Sequence, residues 1–210
     1  NDWMTGLIPG AARRMGIPCL FTVHNIHTHH LTLAQIEDSG IDAAEFWSNL
    51  YYTRVPYNYE ESRNSNEIDM QASGVFASHF INTVSPTFLK EIVNGWHDFI
   101  PRALREEIRN KDRAGCAAGI LNAPDAGDNP AVDPNLEVNY TPETHREAKR
   151  ANKIAFQHKV GLEEDPDVPL FFWPSRLDPA QKGPQLLADI LYRFMSRHWK
   201  RRVQIAIVAN

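Results

Sequence analysis

VPLFFWPSRLDPAQKG, residues 168–183, is the stretch from which the rest of this chain is read. Leu170, Phe171, Phe172 and Trp173 make an unbroken apolar run, the pattern expected of a strand buried on both faces in a parallel sheet. The run empties into a short loop carrying Arg176 and Lys182, and Gly183-Pro184 then opens a long apolar-periodic segment. In open α/β sheets ligands bind beyond the carboxyl ends of the strands, where a helix N-terminus offers free N–H groups to an anion. Two cations at that position point to a phosphorylated ligand.

Working outward, the segment 185–199 places Leu186, Leu187, Ile190, Leu191, Phe194 and Met195 on one stripe, and Lys200, Arg201 and Arg202 suit the C-terminus of a helix. With strands predicted at 169–173 and 203–209 it forms a βαβ unit. Buried-strand composition recurs upstream at 18–23, 80–84 and 116–121. Helices are predicted over 4–15, over 87–93 after Ser85-Pro86, and over 143–160 after Thr141-Pro142, the last closed by Gly161. Strands alternating with helices define an α/β class with a mostly parallel sheet. The run NAPDAGDNPAVDPN from Asn122 is a loop or hinge, which puts a domain boundary near residue 125. Segment 31–71 is less regular. Its aromatics Phe46, Trp47, Tyr51, Tyr52, Tyr57 and Tyr59 can stack on sugars, but packing is the commoner role.

The chain has 210 residues, is 42% hydrophobic and carries a formal charge of −4. Such a chain is globular, and without a broad cationic surface nucleic-acid binding is disfavoured. Cys19 and Cys116 sit in separate apolar runs and read as buried thiols of a reducing compartment. No apolar stretch has the length of a membrane span and no leader is visible, so a cytoplasmic setting is expected. The chain begins at Asn1 and ends at Asn210 inside an apparent strand, and it is expected to be part of a longer protein.

Polar residues follow each apolar run: His24-Asn25, Ser85, Asn122 with Asp125, and Ser175-Arg176. Ser85 before Pro86 is explained as a helix cap. His24 and Arg176 are not usual cap or turn residues, and they are the stronger site candidates. The cluster His24, His27, His29 and His30 has no metal-ligand register, so no metal is expected. Asp2-Trp3 would place an acid near a strand end. Walker A, G-x-G-x-x-G and G-x-S-x-G patterns do not occur.

DWMTGLIP at 2–9, FTVHN at 21–25, NTVSPTFLKEI at 82–92, GILNAPD at 119–125 and SRLDPAQKG at 175–183 together resemble the bacterial glycogen synthases and plant starch synthases, in order and spacing along almost the whole chain. The resemblance implies the GT-B fold, two Rossmann-like domains with parallel sheets. It places residues 1–125 in the second part of the N-terminal domain, 126–167 in a connector and helix, and 168–210 in the first βαβ of the C-terminal domain. It also implies retaining transfer of glucose from ADP-glucose to the non-reducing 4-hydroxyl of an α-1,4-glucan, with no metal or other cofactor, in the cytoplasm or, for a plant or alga, the plastid.

By the same resemblance Arg176 and Lys182 bind the diphosphate, His24 sits by the transferred glucose, Asp2 lies near the donor and acceptor sugars, and Asn122 bonds the donor glucose. Trp3, Asn25 and Asp125 are carried along as substrate-binding candidates. Two departures stand out: Ala123-Pro124 stands for the Gly-x of the usual L-N-G-x-D, and Ala180 lengthens the usual R-L-x-x-Q-K-G loop. The family's K-x-G-G and E-x7-E motifs fall outside the span of these residues, so the isolated chain is expected to be inactive. A UDP-glucose-dependent relative of the same fold and a non-catalytic glucan-binding homologue are the competing readings.

Overall fold

The computed structural model describes residues 1–179 and 182–209, so Ala180 lies outside the described residues together with Gln181 and Asn210. The chain divides into two compact units, Asn1–Ala123 and Pro124–Asn210.

The first unit is built on a three-stranded parallel sheet. After a short 3-10 turn at Trp3–Thr5 come α1 (Ile8–Arg14), β1 (Leu20–Val23), β2 (His30–Leu31), α2 (Leu33–Asp38), α3 (Tyr59–Ser65), β3 (Ile68–Asp69) and α4 (Met70–Ala77). There follow β4 (Phe80–Thr83), α5 (Pro86–Asn94), α6 (Arg102–Arg113) and β5 (Ala117–Gly119). The order is β1-β4-β5, with Val23 opposite Thr83 and Thr83 opposite Gly119. Because the strands are parallel and in this register, the residues after each leave at one edge. The helix predicted over 4–15 is broken. Gly6 lets the Met70 carbonyl approach so closely that a Cβ would stand 1.9 Å from its oxygen, and the helix restarts around Pro9.

Two apolar clusters hold this unit. In one, Phe21, Val23 and Ile81 of the sheet pack with Val75 of α4, Leu89 and Ile92 of α5, and Leu104 and Ile108 of α6. Helix α4 can lie on β1 because Gly74 has no side chain: a Cβ there would be 2.3 Å from the Phe21 ring. The other cluster occupies the irregular segment, where Leu33, Ile36, Phe46, Leu50, Tyr52 and Ile68 are buried. Phe46 and Tyr52 therefore pack, whereas Tyr57 is exposed. Cys19 and Cys116 are free and half-buried rather than buried. They precede β1 and β5, at the rim of the sheet instead of its middle.

The second unit contains α7 (His145–Lys159), β6 (Leu170–Pro174), α8 (Pro184–Arg197) and β7 (Gln204–Val208). Strands β6 and β7 are parallel, joined by α8 in a βαβ unit. Successive side chains of β6 point to opposite faces. Phe171 meets Phe194 of α8 at 5.5 Å between ring centroids, and Phe172 meets Phe156 of α7 at 5.2 Å. The expected burial of this strand on both faces is not found, since Phe171 and Phe172 are 52% and 51% exposed. A two-stranded sheet with one helix on each face cannot enclose rings of that size. Helix α7 also starts later than predicted, after Thr144, whose Oγ1 takes the Thr141 amide and holds 141–144 as a turn in place of capping the helix. Gly161, with φ +71°, follows the helix as expected.

Candidate active site

The chemistry-bearing residues of the first unit gather where β1 ends. Asp2 is brought there by its own backbone, whose N–H donates to the Thr22 carbonyl at 3.0 Å. Its carboxylate is buried and engages the start of the following loop. Oδ1 accepts the His24 amide at 2.8 Å and, more weakly, the Asn25 amide at 3.4 Å, while Oδ2 lies 3.2 Å from His24 Nδ1. An ionised carboxylate only accepts, so with Asp2 as its partner Nδ1 carries the proton and the ring is fixed in orientation, with Nε2 at its far side. The imidazole is 39% exposed, against 10% for the Asp2 side chain. A buried acid thus orients an accessible histidine.

This arrangement is strained. Asp2 adopts φ 55° and ψ −179°, a region otherwise left to glycine, at a cost of roughly 1–3 kcal/mol. The carboxylate clamp is the interaction that the conformation makes available.

Trp3, half-buried, packs against His29 of the same loop, with ring centroids 4.2 Å apart and the planes tilted by 51°. The backbone N–H of His27 donates to Asn25 Oδ1 at 2.9 Å, which rounds the loop into a turn. His30 Nε2 approaches Asp69 Oδ2 at 3.5 Å. Among the described residues, no group of three or more His, Cys, Asp or Glu side chains is placed to hold a metal ion.

At the same sheet edge Ser85 caps α5, its Oγ accepting from Phe88 N at 3.2 Å, as its sequence context predicts. The segment after β5 turns out at Ile120, whose N–H donates to Thr83 O at 2.8 Å, and leads to Asn122, which is exposed. Gly119 is required here: a Cβ would stand 2.2 Å from Pro86 Cα.

In the second unit Asp125 is exposed and uses Oδ1 to accept the Gly127 amide at 2.8 Å, capping a 3-10 turn. Arg176 and Lys182 lie in the loop between β6 and α8, both exposed. The Lys182 amide donates to Asp178 O at 2.9 Å, and Gly183, with φ +63°, turns the chain into α8. Lys182 and Gly183 border a groove of about 410 Å³ floored by Trp173, Leu187 and Ile205.

Sequence reasoning missed the residues behind the His24 loop, namely Thr28, Asp69 and Gln71. Asp69, three residues before the small residues Ala72, Ser73 and Gly74, is a readable helix cap, and it does cap α4 through Ala72 N at 2.8 Å. The bonds of Gln71 to a loop more than forty residues upstream leave no local signal.

The family model described as the starch synthase catalytic domain matches residues 1–101. A glycogen synthase of Rhodopirellula baltica is 30% identical over 209 residues, covering 93% of this chain and 37% of its own length. One of Exiguobacterium sibiricum is 31% identical over 201 residues, covering 91% and 38%. Granule-bound starch synthase 1 of Solanum tuberosum is 29% identical over 210 residues, covering 93% and 32%. The catalytic domain of starch synthase IV from Arabidopsis thaliana, bound to ADP and acarbose, superposes with a TM-score of 0.74 at 22% identity, over 99% of this chain and 41% of that one. The chain therefore spans under two fifths of the length of these curated relatives. Its α/β architecture is that of the matched part of a GT-B catalytic domain.

Proposed function

The chain belongs to the glycogen synthase and starch synthase family, and on that premise we propose that the protein carrying it is a glucosyltransferase of α-1,4-glucan synthesis. Glucose moves from ADP-glucose to the non-reducing 4-hydroxyl of the growing chain, with retention at the anomeric carbon. The observation that carries this reading is the buried Asp2 carboxylate holding the His24 amide at 2.8 Å and the imidazole at 3.2 Å.

In this mechanism the bond between the anomeric carbon and the diphosphate oxygen breaks as the bond to the acceptor oxygen forms. The proton of the acceptor hydroxyl leaves with the diphosphate. His24, oriented by Asp2, contacts the transferred glucose and its carbonyl faces the positive charge that grows on the anomeric carbon. Asn122 bonds the donor sugar, and Trp3, Asn25 and Asp125 are the accessory binding candidates. Arg176 and Lys182 take the negative charge of the departing ADP. Charge-assisted contacts of this kind are strongest where water is excluded. An adenine nucleotide and a glucan-like acceptor are supported by the ADP and acarbose bound to the starch synthase IV domain of similar fold.

The test is glucose incorporation into glycogen by the full protein, with ADP-glucose and UDP-glucose compared and Arg176→Ala as control. Incorporation from ADP-glucose that falls by about two orders of magnitude in the variant is expected, the scale of losing one preorganised charge partner in the transition state. Turnover with UDP-glucose alone moves the protein to a neighbouring transferase specificity. No turnover with either donor, together with retained binding to glycogen, overturns the enzyme reading in favour of a glucan-binding role.

A further inference from the structure

The loop that carries His24 is tied down by a second set of groups that the proposed chemistry does not use. Gln71, on the first turn of α4, is fully buried. Its Nε2 donates to the Asn25 carbonyl at 3.0 Å, and its backbone N–H donates to Thr28 Oγ1 at 3.0 Å. The Thr28 hydroxyl in turn donates to Asp69 Oδ1 at 2.6 Å, the same oxygen that caps α4. The other end of the Gln71 amide, Oε1, is buried with no hydrogen-bond partner among the described residues. An orphaned buried acceptor is costly. The amide's donor is the half of the group that the structure uses.

We propose that Gln71 is a positioning residue for glucosyl transfer, fixing the Asn25 carbonyl and through it the His24–Asn25 peptide; the inference rests on the function proposed above. The geometry of a trans peptide carries the argument. In that planar unit the Asn25 N–H and the His24 carbonyl point in opposite directions. Asp2 Oδ1 draws the N–H toward the buried carboxylate, so the His24 carbonyl is turned away from it. At 3.4 Å that contact is weak and cannot hold the peptide alone. Gln71 ties the next carbonyl, and with the His24 amide already on Asp2 both ends of the dipeptide are fixed. The anchor itself is rigid, since α4 sits against the Phe21 ring at Gly74. Asp2 sets the inner end of the loop and Gln71 the outer one.

The test compares Gln71→Leu and Gln71→Lys in the full protein by kcat, KM for ADP-glucose, thermal midpoint, and hydrogen exchange of amides 24–28. Leucine removes the donor. Lysine restores one without the orphaned acceptor. For Gln71→Leu a fall in kcat of about tenfold or more is expected, with KM changed by less than about threefold and faster exchange confined to the loop, in line with the cost of small misplacements. Gln71→Lys recovers most of kcat. Wild-type kcat in Gln71→Leu overturns the proposal, as does a loss of kcat that tracks the thermal midpoint and is not recovered by lysine. If Gln71→Leu does not fold, Gln71→Met decides: it removes the donor to the Asn25 carbonyl in a side chain of similar length, and unchanged kcat and loop exchange in that variant overturn the brace. If the wild-type protein transfers no glucose, the functional reading falls, and the exchange rates alone still uphold or overturn the brace.

Discussion

Single residues in this chain are set against one another by burial as much as by charge. Glu107 and Lys111, one turn apart on α6, show it. Burial pushes the Glu107 carboxyl above its ordinary value of 4.5, with Lys111 opposing the shift. Burial likewise pulls the Lys111 ammonium below 10.5, Arg13 adding to the shift and Glu107 opposing it, while its Nζ donates to the Ser78 carbonyl. For Glu107 the sign is fixed by the raised value. The folded state holds the proton more tightly than the unfolded one, so the contribution is fully favourable below pH 4.5 and is lost as pH rises through the higher folded value. At neutral pH the ionised group opposes folding. Glu107→Gln is therefore expected to raise the thermal midpoint by a few degrees at pH 7, although it removes a partner of Lys111, because desolvation is the larger cause. The gain should shrink on acidification and vanish below about pH 4.5, where wild type is neutral as well. Thermal melts of both proteins from pH 4 to 8 measure it, and a difference that does not change with pH would assign the effect to packing. The pairing of Asp2 with His24 belongs to this scale also. It was legible only in part, because the sequence places an acid and a histidine near strand ends, whereas their contact depends on a backbone bond from Asp2 to Thr22.

Elements of the first unit lock where β5 meets the start of α5. Ser85 Oγ accepts from Phe88 N, and removing the cap in Ser85→Ala should cost about 1 kcal/mol, the usual loss at such a position. Gly119→Ala should cost more, about 1–3 kcal/mol, because the new Cβ would stand 2.2 Å and 2.3 Å from Pro86 Cα and N, backbone atoms that cannot turn aside. Urea titrations of the two variants check the order, and an equal or smaller loss in Gly119→Ala would mean that the strand end yields. Strands β1, β4, β6 and β7 and helices α5 and α8 were legible because apolar runs and caps act locally. The second apolar cluster was not. Its strands β2 and β3 are two residues each, and such pieces exist only through Leu33, Ile36, Phe46 and Ile68 packing together. Composition misjudged β6 for the opposite reason. Phe171 and Phe172 report that a strand can be buried, while the number of strands and helices around it decides whether it is. The roles assigned to Arg176, Lys182 and Asn122 came from the resemblance, since no spacing distinguishes a diphosphate site from any other anion site.

At the scale of the whole molecule the two units differ in what holds them. The first has two apolar clusters and a three-stranded sheet. The second has a two-stranded sheet whose central rings are half exposed, an arrangement of marginal stability on its own. Between them the chain from Leu121 to Asn129 is exposed throughout, rich in Pro, Asp and Gly. Proteolysis concentrates at such segments. Thermolysin, which cuts before apolar side chains, should cleave first around Ile120 and Leu121, which are 53% and 71% exposed. The fragment holding the first unit should then accumulate while the second is degraded. Trypsin is the internal control, since no Lys or Arg lies between Arg113 and Arg146 and it cannot cut this connection. Its first products must come from elsewhere, with α7 and α8 of the less stable unit expected ahead of α6. First cleavage by thermolysin inside α4 or β4 would contradict the division, because those elements carry the buried face of the stronger core. Persistence of the second fragment would show that its exposed rings cost it less than a two-stranded sheet implies. The order of cleavage thus reads the relative stability of the units without requiring activity from either.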